Sequence, residues 1–340
     1  MNPLTMETIA VVTVTYGDRG HLLKRVLGAL TESTVKVDRV VIVDNGARAS
    51  LENLSSGELA VDVVRLGHNT GSAAGFKAGL ERAAQLGCDL IWLLDDDNVP
   101  EPLALEAILS ERAALGNGDT NIFASLRLDR EKYVRVATTD FTLEVRRNAF
   151  LGFTIYNMPK WLIKKCTATT TTPTITTAVK KINYGIYGGL LLHRNWITKA
   201  GYPNEDFYLY LDDTEYTTRL VKEGAQIYLV PKSKIRDIDV SWFQQNGERL
   251  PQVIDLSINT QKLYYTLRNS CFLSKNRFVD NSILFYTNMV SYLAVMFIWG
   301  IVAGNPIGGM VRRMKFIIRT ILNGLQGELG YKEIINGDIK

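Results

Sequence analysis

Hydrophobic runs alternate with helical periodicities along the first third of the chain. Residues 9–15 (IAVVTVT) form a continuous β-branched run, which is typical of a strand buried on both faces. Further runs that predict strands lie at residues 40–43, 61–66 and 90–94. Between them, residues 21–30 and 73–86 carry apolar side chains at helical spacing. This order predicts an α/β fold with a mostly parallel twisted sheet flanked by helices.

The pattern is weaker beyond this region. Residues 121–186 are harder to assign, and we interpret their threonine-rich patch at 167–177 as a loop rather than an edge strand or a linker. Strand and helix signals return over 184–230, and the composition after Trp242 is helical. We therefore expect one domain over 1–245 and a helical appendage over 246–340.

Composition narrows the class of protein. With 46% hydrophobic residues, 340 residues can bury a large core, and the formal net charge of +4 does not indicate a nucleic-acid-binding protein. Basic residues cluster near the C-terminus, at Arg312, Arg313, Lys315 and Arg319. The three cysteines are far apart, which argues against a zinc site and favours a reducing cytoplasm. No signal peptide is expected in the first ten residues.

Residues 281–311 contain no charged side chain, and 283–303 are mostly apolar. A helix of about 20 residues can cross the ~30 Å hydrocarbon core of a membrane. However, polar residues such as Asn288 and Asn305 interrupt the stretch, and the basic cluster follows it. We favour a helix lying in the membrane interface. A buried helix or oligomer interface, and a true span, remain as alternatives.

Polar residues follow three of the predicted strands. Thr15 and Tyr16 follow the first, Asp44 the second, and residues 95–97 (DDD) the fourth. Ligands of such sheets bind at the carboxyl ends of the strands. Three adjacent carboxylates repel one another unless a cation compensates them, and oxygen ligands suit Mg²⁺ or Mn²⁺. The alternative is a solvated turn that caps a helix starting at residues 98–101.

Two further motifs carry weaker signals. Residues 69–75 (NTGSAAG) and Gly79 are small enough for close approach to a ligand or to a neighbouring strand, and they match neither a dinucleotide fingerprint nor a P-loop. Asp212 and Asp213 follow an aromatic run, 207–211, and precede a helical pattern. A carboxylate in that position can serve as a base, as a helix cap, or as both.

Six motifs together resemble the family two inverting glycosyltransferases, which have the GT-A fold. They are, in chain order, residues 12–16 (VTVTY), 43–45 (VDN), 69–71 (NTG), 94–97 (LDDD), 187–189 (YGG) and 212–216 (DDTEY). The resemblance covers residues 9–240. The last motif, with an aspartate triplet upstream, is most similar to bacterial galactofuranosyltransferases, and rhamnosyltransferases of surface-glycan synthesis are close relatives.

The resemblance implies a role for each site residue. The nucleotide would contact Thr15, Tyr16, Arg19, Asp44, Asn69, Gly71 and Asp96, and the donor sugar would contact Gly188 and Gly189. Asp95 and Asp97 would bind the metal, and Asp213 would be the base. Galactofuranosyltransferases usually carry a metal-binding His followed by a Trp downstream of the base. Here Asp237 stands at that spacing from Trp242, so we assign it as the third ligand, with Asp239 as the alternative. The three histidines are expected to be structural.

The resemblance also implies partners and a location. The donor would be a nucleotide sugar, with UDP-galactofuranose favoured over dTDP-rhamnose, and the acceptor a hydroxyl of a lipid-linked bacterial surface glycan. The C-terminal part, including 264–269 (YYTLRN), is similar to the tail of these membrane-associated transferases. We expect a cytoplasmic protein that contacts the inner face of the plasma membrane through 281–319, with homo-oligomerisation left open. A sugar nucleotidyltransferase and a non-catalytic nucleotide- or glycan-binding protein are the rival functions.

Overall fold

The computed structural model describes residues 7–48, 59–157, 175–239, 253–335 and 338–339. The chain forms two compact units. The first comprises residues 1–144, 173–205 and 212–245, and the second comprises 145–172, 206–211 and 246–340. Most of the threonine-rich patch, Cys166 and Trp242 lie outside the described residues. The assignment of separate roles to 1–245 and 246–340 stays a prediction.

The first unit is built on a nine-stranded sheet. Its strands are β1 (Ile9–Gly17), β2 (Arg39–Ala47), β3 (Val61–Arg65), β4 (Leu90–Asp95), β5 (Asn98–Pro100), β6 (Asn121–Arg127), β7 (Lys180–Ile182), β8 (Leu190–His193) and β9 (Gln226–Asp237). The order is β3-β2-β1-β4-β8-β6-β9-β5, and β7 also pairs with β9. Strands β1 to β4 run parallel, β8 is antiparallel to β4 and β6, and β9 is parallel to β6.

Helices cover both faces of this sheet. They are α1 (Gly20–Glu32), α2 (Gly71–Gln85), α3 (Ala104–Ala114), α4 (Glu131–Thr138), α5 (Asn195–Ala200) and α6 (Asp212–Lys222). Each face of the sheet carries its own hydrophobic core. Alternate residues of β1 pack in different cores, because successive side chains of a strand point to opposite faces. Val12 packs in one core with Phe76 of α2, and Val11 packs in the other with Leu23 of α1. The predicted fold class is confirmed.

Residues 98–101 do not begin a helix, contrary to the alternative considered from the sequence. Asn98–Pro100 forms β5, which pairs antiparallel with the end of β9, and α3 begins at Ala104. The pairing partner is Asp237 for Asn98, so a long-range sheet contact overrides the local helix-start signal. The pairing brings β9 beside the aspartate triplet.

Two glycines of α2 let the helix pack closely on the sheet. A side chain at Gly79 would collide with Val12, and one at Gly75 would collide with Val14. Both valines belong to β1, so the small residues of this segment serve close packing of α2 on the strand. This was one of the two interpretations that the sequence left open.

The second unit is mainly helical in its described part. Its elements are α7 (Thr260–Arg277), α8 (Ser282–Val302), α9 (Ile307–Gln326) and a small ribbon of β10 (Ile334–Ile335) and β11 (Asp338–Ile339). Helix α8 is the one helix of the described residues that is long and apolar enough to cross a membrane. Its polar Asn288 is buried and donates to the carbonyl oxygen of Asn148, while its own oxygen accepts from the backbone of Ile155. The polar interruption of the apolar stretch therefore has a structural role.

Candidate active site

The strand register brings the polar residues after β1, β2 and β4 to one edge of the sheet. Thr15 is paired with Asp44 of β2, and Val14 is paired with Asp95 of β4. Thr15 is buried, whereas the ring of Tyr16 is 47% exposed. Parallel strands end at the same edge, so the convergence predicted from the sequence is present. The roles assigned to these residues stay predictions.

Arg19 joins three acidic side chains at this edge. It donates to both oxygens of Asp96, at 2.9 and 3.0 Å, and to Asp97 and Asp239 at 2.6 Å each. Asp96 is buried, and burial raises its pKa to about 6 against the opposing charge of Arg19. The sequence placed Arg19 at the nucleotide, and the structure also makes it the cation of the aspartate cluster.

Arg127, at the end of β6, is a site residue that the sequence reasoning missed. Its side chain has no exposed surface and donates to Asn98 at 2.7 Å and to Asp237 at 2.8 Å. It also forms a two-pronged pair with Asp129 and lies 3.5 Å from Asp95. It lies in the poorly patterned middle of the sequence, and only the pairing of β5 and β6 with β9 reveals its neighbours.

The acidic network retains a negative charge after its arginines are counted. Its six carboxylates are those of Asp95, Asp96, Asp97, Asp129, Asp237 and Asp239, and they face the three guanidinium groups of Arg19, Arg127 and Arg130. Three more formal negative than positive charges are therefore present among the described residues of the network. Burial raises the pKa of Asp97 to about 7, and the charges of Asp95 and Asp237 act in the same direction. Crowded carboxylate oxygens with excess negative charge are the donor set that Mg²⁺ and Mn²⁺ prefer. In chemistry and charge, Asp95, Asp97 and Asp237 fit a divalent cation.

The spacing of these three carboxylates is looser than a coordination sphere. Among the described residues, a group of three metal-ligating side chains with all ligand atoms within 4.8 Å of one another is formed by Glu7, Asp119 and His193. That group lies at the opposite edge of the sheet, and Arg112 already pairs with Glu7 at 2.6 Å. Asp95 and Asp237 both contact the Arg127 guanidinium instead, so they must approach each other to share one ion.

Asp213 lies in the first turn of α6, and its environment suits a base. One of its oxygens, Oδ1, accepts hydrogen bonds from the backbone and hydroxyl of Thr214, and Oδ2 has no hydrogen-bond partner among the described residues. Burial raises the pKa of Asp213 to about 6, and the charge of Asp95 contributes in the same direction. The Asp213 carboxyl group and the aspartate triplet therefore lie within electrostatic reach of each other.

Its neighbour Asp212 has a different environment. The side chain is buried, and one oxygen accepts a 2.9 Å hydrogen bond from the hydroxyl of Ser72. Burial, followed by the charge of Asp213, raises the pKa of Asp212 to about 8. Burial disfavours ionisation of both groups together, and Asp213 is the more accessible of the two.

The turn before α2 is held by a second residue that the sequence did not assign. Asn45 is buried; it donates to the carbonyl oxygen of Gly71 at 2.9 Å and accepts from the backbone of Thr70 at 2.7 Å. The Asn69 side chain accepts from the Gly71 backbone, again within the turn. These contacts show Asn69 and Gly71 shaping the backbone beside Asp44.

Gly188 and Gly189 form the wall of the site beside the acidic network. A side chain at Gly188 would collide with Asn98 and Arg127 and would lie 2.8 Å from Asp95. Gly189 has a φ of +96°, and a side chain there would lie 2.8 Å from Ser125. Glycine is therefore required at position 188 for the backbone to lie against the acidic network, and at position 189 for the backbone to pass Ser125 with a positive φ.

Comparison with known proteins finds a family model that matches part of the chain. Residues 10–165 match the family model described as glycosyl transferase family 2. The matched residues include nearly all of β1, the glycine-rich turn, the aspartate triplet and Arg127. The predicted resemblance to family two glycosyltransferases is confirmed for this part of the chain.

Curated proteins similar to the chain include two mycobacterial proteins. The chain is 36% identical over 107 residues to the galactofuranosyltransferase GlfT1 of Mycolicibacterium smegmatis, covering 31% of this chain and 35% of that protein. It is 24% identical over 224 residues to GlfT1 of Mycobacterium tuberculosis, covering 64% of this chain and 66% of that protein. The alignments therefore span between about one third and two thirds of these relatives.

Solved structures similar to the chain were also found. A Staphylococcus aureus TarS fragment crystallised with UDP is 10% identical and has a TM-score of 0.49, covering 98% of this chain and 95% of that one. GalNAc-T7, crystallised with UDP, GalNAc and Mn²⁺, is 13% identical and has a TM-score of 0.49, covering 68% of this chain and 44% of that one.

Proposed function

We propose that the chain transfers a sugar from a nucleotide donor to a hydroxyl group with inversion at the anomeric carbon. The observation that carries this proposal is the placement of Asp213 within electrostatic reach of Asp95, at the strand edge where the polar residues of β1 and β2 also end. The arrangement separates a partly accessible carboxylate from an acidic, arginine-braced cluster. The first suits proton abstraction, and the second suits binding of a divalent cation that would hold the donor diphosphate.

In the proposed reaction, Asp213 accepts the proton of the acceptor hydroxyl as that oxygen attacks the anomeric carbon. The bond from this carbon to the diphosphate oxygen breaks, and the nucleotide diphosphate leaves with the electron pair. Arg19 would interact with the diphosphate, and the exposed ring of Tyr16 would contact the nucleotide. A divalent cation held by Asp95, Asp97 and Asp237, when bound, would act as a Lewis acid for the departing charge.

The proposed donor is UDP-galactofuranose. The support is the resemblance of the Asp-Asp-x-Glu-Tyr motif at 212–216 and the similarity to two proteins named galactofuranosyltransferases. The acceptor would be a lipid-linked bacterial surface glycan. The runner-up donor is dTDP-rhamnose, because the motifs are similar to rhamnosyltransferases as well.

The donor assignment predicts a selective release of nucleotide diphosphate. Purified full-length protein with Mn²⁺ and a lipid-linked acceptor should release UDP from UDP-galactofuranose faster than it releases the diphosphate from dTDP-rhamnose or UDP-hexoses. Chromatography measures both the nucleotide diphosphate that is released and the glycolipid that is formed. Faster turnover of dTDP-rhamnose would select the runner-up, release of pyrophosphate would indicate a nucleotidyltransferase, and donor binding without any product would indicate a binding protein.

We further propose that the second unit contacts the cytoplasmic face of the plasma membrane through 281–319. Helix α8 exposes apolar residues along one side, with Ile283 at 81%, Val290 at 62% and Ile298 at 61% exposure. Helix α9 exposes Ile307, Val311, Ile318 and Leu322 together with Arg312, Lys315 and Arg319, and it contains no acidic residue. Apolar and basic side chains on one exposed face suit an interface with anionic lipid.

This membrane contact predicts a charge-dependent association with vesicles. The full chain should sediment with phosphatidylglycerol vesicles, and replacing Arg312, Lys315 and Arg319 with glutamine should weaken binding by about 10²-fold, since each basic residue contributes about 1 kcal/mol. Phosphatidylcholine vesicles are the neutral control. Equal binding to both vesicle types would contradict the electrostatic part. Failure to bind either, with a dimer in analytical ultracentrifugation, would favour the oligomer interface.

A further inference from the structure

The segment just before the proposed base has an unusual backbone. Tyr208, Tyr210 and Leu211 have φ values of +61°, +65° and +59°. Bulky residues rarely adopt this left-handed region, because the β-carbon approaches the following carbonyl oxygen. Leu211 is joined directly to Asp212, the first residue of α6, and Asp213 comes next. Backbone strain of this kind persists only where surrounding contacts enforce it.

Asn269 of α7 supplies such contacts. Its side chain is fully buried, and its Nδ2 lies 3.0, 2.9 and 2.8 Å from the carbonyl oxygens of Phe207, Leu209 and Tyr210. An amide nitrogen has two hydrogens, so these three acceptors surround one donor group. A single side chain thus contacts three backbone carbonyl groups of residues 207–210.

Arg268 completes this arrangement. It is fully buried, donates to the carbonyl oxygen of Phe207 at 3.1 Å and to that of Gly330, and orients Asn269 through a 2.9 Å hydrogen bond to its oxygen. Its guanidinium also lies over the ring of Tyr265, 4.8 Å from the centroid. Burial lowers the pKa of Arg268, which reflects the cost of keeping this cation away from water. The buried guanidinium group of Arg268 forms hydrogen bonds with backbone carbonyl groups.

We infer that Arg268 and Asn269 are positioning residues for the base: they hold the left-handed residues 208, 210 and 211 in place and thereby fix the start of the helix that carries Asp213. The inference rests on the proposed function, because it takes Asp213 as the base. It also gives a role to the motif at 264–269, which the transfer reaction itself does not use. The residues act on the base through the intervening backbone.

The test separates backbone positioning from general stability. Asn269→Ala should lower kcat about 10-fold or more while changing the donor Kd by less than about twofold, since only placement of the base is altered. The matched control is Asn288→Ala. Asn288 is likewise buried in the second unit and bonded to backbone groups, but those groups belong to Asn148 and Ile155. We expect Asn288→Ala to lose as much thermal stability as Asn269→Ala and to keep the kcat of the wild type.

A second pair of variants tests the left-handed conformation itself. In the Asn269→Ala background, Leu211→Gly should restore kcat about 10-fold, because glycine adopts positive φ without the β-carbon penalty. Leu211→Ala removes nearly the same side chain but retains the β-carbon, so it should restore nothing. Leu211→Gly alone should leave kcat near that of the wild type.

The outcomes distinguish this inference from the proposed function. Equal kcat in Asn269→Ala and Asn288→Ala, or equal rescue by glycine and alanine at position 211, would overturn the positioning role while the wild type still transfers sugar. Absence of transfer and donor hydrolysis in the wild type would instead overturn the proposed function. Where Asn269→Ala fails to fold, Arg268→Lys is compared with the wild type by the same kcat and Kd measurements, and an unchanged kcat in it would contradict the inference.

Discussion

Replacing Asp213 with asparagine is expected to lower turnover by about 10² to 10⁴-fold, the usual contribution of a general base. Asparagine keeps the size of the side chain and can still accept from Thr214, but it cannot take a proton. Donor affinity should stay near the wild-type value, because Asp213 contacts the acceptor oxygen in the proposed reaction. Steady-state kcat and calorimetric donor Kd measure the two effects separately.

Asp212→Asn is the matched control for this substitution. Burial raises the pKa of the Asp212 carboxyl group to about 8, which favours its protonated form, and asparagine resembles that neutral form. Turnover should therefore change by only a few-fold. If Asp212→Asn abolishes transfer while Asp213→Asn retains it, the base has been assigned to the wrong member of the pair.

The pH profile of the wild type provides an independent check of the base. Asp213 must be ionised to accept a proton, and its pKa is raised to about 6. We therefore expect kcat to decrease as the pH is lowered, with a midpoint near pH 6. Asp213→Asn should lose this acidic limb. A limb of unchanged midpoint in that variant would show that another group is titrating.

Local sequence patterns predicted the parallel part of the sheet, which contains β1, β2 and β4. The β-branched run at 9–15 became β1, and Asp44 and Asp95 were expected beside its end because parallel strands finish at one edge of the sheet. The capping pattern at 212–216 likewise marked the start of α6. In these cases the functional side chain lies near the carboxyl end of its strand or in the first turn of its helix, so sequence spacing suffices.

Contacts between residues distant in sequence determine the features that local patterns did not predict. Asn98 had the local signature of a helix start, yet it pairs with Asp237, which is distant in sequence. Arg127 belongs to a stretch without clear periodicity, and its role appears only when β6 and β9 lie side by side. The conformation of 206–211 also depends on Asn269, more than fifty residues later. No local window contains these partners, so propensity could not reveal them.

Replacing Asp97 with alanine is expected to weaken Mn²⁺-dependent donor binding by about 10²-fold, because loss of a metal-bridging carboxylate removes several kcal/mol of charge stabilisation. Asp97 is linked to two of the three arginines of the network: Arg19 donates to one of its oxygens at 2.6 Å, and Asn98, itself bonded to Arg127, donates to the other at 2.8 Å. Calorimetric titration of UDP with and without Mn²⁺ measures the effect. Equal affinities of wild type and variant in Mn²⁺ would contradict a metal-binding role.

Asp239→Ala and Asp237→Asn extend this prediction to the third ligand. Asp239 keeps 43% of its side chain exposed and pairs with Arg19, whereas Asp237 is 6% exposed and faces Arg127. If Asp237 binds the cation, Asp237→Asn should raise the Mn²⁺ concentration needed for donor binding, and Asp239→Ala should not. The reverse result would assign the ligand to Asp239 and would leave Asp237 as a partner of Arg127. Because both variants retain Asp95 and Asp97, the comparison isolates the contribution of the third carboxylate.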